Sequence, residues 1–223
     1  MSATISSADE YKEAAQRARF LSDSQEGTLE AAEADDLAGA IRKWDDSQNA
    51  RDERADMNDH ASERSFPISA GILFGLGLGG FFDGIILHQI LQWHQMLSSW
   101  FPPTTIENIK LNTFWDGVFH SATYLFVVAG LFMLWNHAHR RHLYWSNKLL
   151  AGTMLVGFGA FNCVEGLIDH HLLGVHHVNE TVSEAARIYW DIGFLVWGAA
   201  MLIGGWIVIR SGKKDVRAQS GRT

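Results

Sequence analysis

The chain has a single cysteine, Cys163, in 223 residues, which excludes an intrachain disulfide and any disulfide-framed fold. It has only three prolines, Pro67, Pro102 and Pro103. All three fall at or beyond the ends of long apolar runs, where they break no helix. Those runs contain no lysine or arginine. Any carboxylate within them therefore lacks a basic salt-bridge partner at its own depth. The formal net charge of -7 comes mostly from the first 65 residues and identifies no partner; nucleic acid is not expected as one. The first apolar run begins only at Phe66, so a secretory signal peptide is not expected.

A mean hydropathy of -0.03 averages two unlike parts. Residues 1–65 are polar and charged. Ser7 to Phe20 and Thr28 to Trp44 each have the pattern of a surface helix. Asp45 to Arg64 has almost no apolar residue and reads as mobile. The whole segment reads as a solvated, partly helical or disordered cytoplasmic tail, with a docking role for a soluble partner as the other reading.

From residue 66 on, four apolar spans follow, near 67–96, 114–136, 149–173 and 188–209. Each reaches the roughly 20 residues that cross a bilayer. The expected fold is all-α: an integral membrane four-helix bundle over residues 66–210, with a short basic tail at 211–223. Trp93, Trp100, Trp115, Trp135 and Trp190 lie near span ends, as an aromatic belt would. Orientation follows the basic residues. Arg140, Arg141 and Lys148 lie between spans two and three. Arg210, Lys213, Lys214, Arg217 and Arg222 follow span four. The other two loops hold only Lys110 and Arg187. Both termini are therefore expected in the cytoplasm. In span one, Gly71, Gly75, Gly79, Gly80 and Gly84 form a stripe of small residues that permits close helix packing.

Nine acidic residues follow residue 65, and five lie inside spans: Asp83, Asp116, Glu165, Asp169 and Asp191. Without a basic partner they must be protonated, hydrated, bonded to histidine or bound to a metal. The histidines gather in the same half of the spans: His88 and His94 in span one, His120 in span two, His170 and His171 at the end of span three. His176 and His177 begin the next loop. His137, His139 and His142 sit at the other end beside arginine and read as ordinary interfacial residues. Asp116 and His120 share a helix face, as do Glu165 and Asp169, each pair four apart. One pair fits poorly. Asp83 and His88 are five apart, about 140° around an α-helix, and Asp83 and His94 differ by about 16 Å in height.

Three readings cover these groups. A buried polar network would fix helix pairing, a proton path would use them in turn, and a metal site would pair their charges. So many acids and imidazoles at one depth favour the metal. The candidate ligands are His88, His120, Glu165, Asp169 and His170. Asp83, Asp116 and Asp191 serve as further ligands or as carboxylates that orient the imidazoles, and His94 and His171 complete the set. Carboxylate with imidazole suits iron, copper(II), zinc or manganese. Iron or copper is expected, with zinc also admissible. Cys163 faces away from Glu165, and no methionine cluster accompanies the histidines, which disfavours a copper(I) site.

The blocks GFFDGIILHQILQWHQM (80–96), DGVFH (116–120), FNCVEGLIDHHLLGVHH (161–177) and YWDIGF (189–194) together resemble a bacterial membrane-protein family known as domain of unknown function 2243. The resemblance covers roughly residues 66–210. It implies four membrane helices in a bacterial inner membrane, in contact with lipid, and an association with respiratory oxidase assembly proteins. It carries no activity. If the site is catalytic, the expected class is metal-dependent oxidation of a small or lipophilic substrate. The alternatives are a copper-handling protein serving oxidase assembly and a proton-coupled carrier. A homo-oligomer is admissible.

Overall fold

The computed structural model describes residues 4–140 and 143–221. Arg141, His142 and Arg222, counted above, lie outside the described residues. The chain forms two units, Met1–His60 and Ala61–Thr223.

In the first unit, helix α1 (Ala8–Phe20) starts at Ser7, whose hydroxyl caps the Glu10 N–H, as a serine N-cap does. It pairs with α2 (Leu29–Glu63) through Tyr11 against Trp44 and a two-bond contact of Arg17 with Glu33 (2.9 and 3.1 Å). Helix α2 does not stop near Trp44. It runs through the segment expected to be mobile. The alanines and long charged residues of that segment are good helix formers and need no apolar face to be so.

The second unit is four long helices. Helix α3 (Ile68–Phe81) continues into a π-helical segment, π1 (Phe82–Ile90). Helix α4 spans Ile106–Arg140. Helix α5 (Asn147–Glu165) continues into π2 (Gly166–Leu172), and α6 spans Glu184–Ser220. All four are long and apolar enough to cross a membrane. Large apolar side chains such as Phe132, Trp135, Val196 and Ile203 face outward. Asp83, Asn112, Thr153, Asn162 and Asp191 are buried. A bundle that is apolar outside and polar inside matches lipid as its solvent.

Span one is shorter than the sequence suggests: its helix ends at Ile90, so His94 belongs to the turn that follows. Spans two and four are longer, because Ile106–Thr113 and Glu184–Arg187 are helical too.

The second unit is built from an internal repeat. α3–π1–turn–α4 matches α5–π2–turn–α6, with DGIILHQILQWH (83–94) aligned to EGLIDHHLLGVH (165–176) and FWDGVF (114–119) to YWDIGF (189–194). Contacts repeat accordingly. α3 and α5 cross where Gly75 meets Gly157. A Cβ on Gly75 would stand 2.1 Å from the Met154 carbonyl, and one on Gly157 2.1 Å from the Ile72 carbonyl. The packing of Gly77 on Thr123 and Val127 recurs as Gly159 on Gly198 and Leu202. Both π segments end alike: Leu91 N–H bonds to Ile86 O and Leu173 N–H to Ile168 O, each at 2.8 Å and five residues back. Gln92 (φ 51°) and Gly174 (φ 59°) then reverse the chain in left-handed backbone.

Gly75→Ala is expected to destabilise the bundle by about 1–3 kcal/mol, because its methyl meets backbone that cannot give way. Gly204→Ala, where a Cβ meets nothing within 4 Å, is expected to leave stability unchanged or raise it. Thermal unfolding in detergent compares the two.

Candidate metal centre

The site sits at the end of the bundle where π1 and π2 stop. An α-helix would set residues five apart on different faces. A π-helix bonds i to i+5 and brings them together. In π1 this places Asp83 Oδ2 2.9 Å from His88 Nε2. In π2 it places Glu165 Oε1 2.9 Å from His170 Nε2. The misfit between Asp83 and His88 is thereby removed. The same change of pitch buries His170 and leaves Asp169 half-buried.

The turns bring in two more imidazoles. The Nδ1–H of His94 donates to the Val178 carbonyl (2.8 Å), and that of His176 to the Met96 carbonyl (3.0 Å). Each turn thus crosses to the other repeat. The two rings stack at 4.5 Å and 11°. His176 Nε2 lies 3.0 Å from Glu165 Oε1, and His94 Nε2 lies 3.7 Å from Asp83 Oδ1. The ligand atoms of His88, His94 and His176 all lie within 4.8 Å of one another, and so do those of Glu165, His170 and His176.

The second carboxylate of each repeat stands behind the first. His88 Nδ1 donates to Asp116 Oδ1 at 2.9 Å, and the Met96 N–H also donates to that oxygen. In the other repeat Asp191 Oδ1 accepts the Val178 N–H at 2.9 Å and lies 3.9 Å from His170 Nδ1, while Oδ2 accepts from His177 at 2.7 Å. Phe119 packs on His88 as Phe194 packs on His170.

This arrangement constrains protons. An imidazole that already donates through Nδ1 meets a carboxyl group at Nε2 as imidazolium, by accepting from a protonated carboxyl, or across a shared cation. His88 and His176 are in that position. Burial, followed by repulsion from His176, holds the pKa of His94 well below the ordinary imidazole range, so its Nε2 is a free lone pair. Burial opposes charge on His176, but the hydrogen bond and charge of Glu165 outweigh it and raise the pKa. Asp83 Oδ1, Glu165 Oε2 and His94 Nε2 are buried without a hydrogen-bond partner, as are His120 Nε2 and the Asn162 amide, while His88 Nε2 and His170 Nε2 meet only the carboxylates at 2.9 Å. Buried polar atoms in this state call for an explanation, an unseen ion among them.

Of the residues expected from sequence, Asp83, His88, His94, Glu165 and His170 converge, backed by Asp116 and Asp191. His120 does not join them: its Nδ1 donates to the Asp116 carbonyl (2.7 Å) and its ring packs against Phe81 and Gly84. His171 is exposed and donates to the Gly166 carbonyl. His137 and His139 are at the opposite end, on the Ser65 carbonyl and Trp135. His176, absent from the expected residues, also joins the cluster. The repeat is the signal that would have found it, since it aligns His176 with His94.

A family model described as a predicted membrane protein, DUF2243, matches residues 70–212. The chain belongs to the DUF2243 family. The match spans both repeats of this DUF2243 protein and every converging residue. No curated protein and no solved structure matches the chain.

Asp191→Ala leaves the Val178 N–H buried without an acceptor, and a loss of about 1–3 kcal/mol is expected. Asp191→Asn keeps an acceptor oxygen for that N–H and is expected to lose less. Thermal melts of the two variants make the comparison.

Proposed function

We propose that this membrane protein is a metalloprotein whose histidine and carboxylate groups hold iron or copper, with zinc also admissible by donor type. One observation carries the reading: the Nε2 atoms of His88, His94, His170 and His176 converge on the buried carboxylates of Asp83 and Glu165 at 2.9–3.7 Å, and His94 Nε2, Asp83 Oδ1 and Glu165 Oε2 among them have no hydrogen-bond partner. The basic residues at the opposite end favour an orientation with both termini cytoplasmic and the site in the outer half of a bacterial inner membrane.

The activity that fits is oxidation of a small or lipophilic substrate. The substrate gives up two electrons and two protons, and dioxygen takes both to become hydrogen peroxide. A lipophilic substrate has a place beside the site: an apolar cavity of about 330 Å³ is lined by Phe82, Leu91, Trp93, Phe194 and Trp197, and Phe194 packs on His170. A second reading is a metal-handling protein that serves respiratory oxidase assembly. It draws on His94 and His176, which come from turns, and turns open more readily than helices.

Metal analysis of the purified protein, reconstituted with each metal alone, tests the proposal. Glu165→Gln is expected to lower bound metal by half or more while the bundle stays folded. His120→Ala and His139→Ala are expected to keep it. A folded wild-type protein that takes up no metal would sink the reading and leave a proton path. Orientation is tested separately in a Cys163→Ala background. A cysteine at Glu107 is expected to react with an impermeant reagent from outside the cell, and one at Lys213 is not.

A further inference from the structure

We infer that the centre is binuclear, with one metal ion held by each repeat. The inference rests on the metal reading above and goes beyond it in number and ligand sets. The first set is Asp83, His88 and His94. The second is Glu165, His170 and His176.

Four observations lead to two ions rather than one. The first is that each set brings one carboxylate and two imidazoles together: His88 and His94 Nε2 lie 2.9 and 3.7 Å from the two Asp83 oxygens, and the ligand atoms of Glu165, His170 and His176 lie within 4.8 Å of one another, a donor type that suits a divalent metal. The second is that duplication extends past the ligands to what holds them. Asp116 and Asp191 stand behind His88 and His170, at 2.9 and 3.9 Å from Nδ1. Each also accepts the N–H two residues beyond the turn histidine, from Met96 and Val178. The orienting bonds of His94 and His176 are reciprocal across the repeats. A single ion would use one such frame and leave the other without a role.

The third observation is charge. Asp83, Asp116, Glu165 and Asp191 are all buried, and among the described residues none is paired with a lysine or arginine; Arg187, one turn before Asp191, bonds the Glu180 carbonyl instead. One divalent ion balances two of these carboxylates. Two divalent ions balance all four while every imidazole stays neutral, which is the state that ligates. The fourth is that unpartnered atoms occur in both halves: Asp83 Oδ1 and His94 Nε2 in one, Glu165 Oε2 in the other. The half-sites adjoin, since His94 and His176 stack at 4.5 Å and His176 also lies within reach of His88. Paired metals in such sites stand about 3.5–4 Å apart.

The test is stoichiometry on the full-length protein in detergent. The protein is stripped with chelator, loaded with copper(II), iron(II) or zinc(II) alone, and freed of excess. Two ions per folded chain are expected with at least one metal. H88A and H170A are each expected to retain one ion, and the double variant none. One ion per wild-type chain, with none in either single variant, would overturn the binuclear centre and leave the metalloprotein reading standing. No ion in the folded wild type would overturn both. The wild-type count decides even where a variant fails to fold.

Discussion

The structure depends on one electrostatic constraint. Four carboxylates are buried in an apolar bundle, and among the described residues none is paired with a lysine or arginine. Taking a charge out of water is costly unless it is paired or coordinated. A carboxylate that stays ionised there draws its counter-charge from imidazolium or from a cation held between the groups. Each carboxylate accordingly lies near at least one imidazole, at 2.7–3.9 Å.

That requirement shapes the backbone. Asp83 and Glu165 reach His88 and His170 only because the last turns of two helices widen into π-helix. Wider turns give poorer packing, and π segments are accordingly uncommon and often functional. Here they recur at the same place in both repeats. The turns beyond them carry a similar strain. Gln92 occupies left-handed backbone where its counterpart is Gly174, and a residue with a Cβ is disfavoured in that conformation.

The repeat ties this local geometry to the bundle. Gly75 and Gly157 let α3 and α5 touch backbone to backbone at their crossing. From that crossing the two helices bring their π segments to one end of the molecule. The turns then exchange hydrogen bonds, His94 with Val178 and His176 with Met96. Each half is thus braced by the other, and neither half-site is held by its own repeat alone.

Much of this was legible in the amino-acid sequence. Long apolar runs announce membrane helices whatever their packing, and acids inside such runs announce a site because lipid offers them no other partner. Asp83, Glu165, His88 and His170 stood out on that ground. The extent of α2 was not legible, because low apolar content removes a packing face but not helix propensity. Nor was the choice among the histidines. Spacing on an ideal α-helix favoured Asp169 and His120, whereas the π turns rotate Asp169 out and His170 in, and His120 is held on its own helix by the Asp116 carbonyl. His176 looked like a loop residue because its place is set by a bond to Met96, eighty residues away in sequence. Residue type and hydropathy are local properties, so the chain alone determined the membrane-length helices and the polar groups they carry. Helix pitch and reciprocal turn contacts arise only on packing, so the tertiary structure decided which side chains meet.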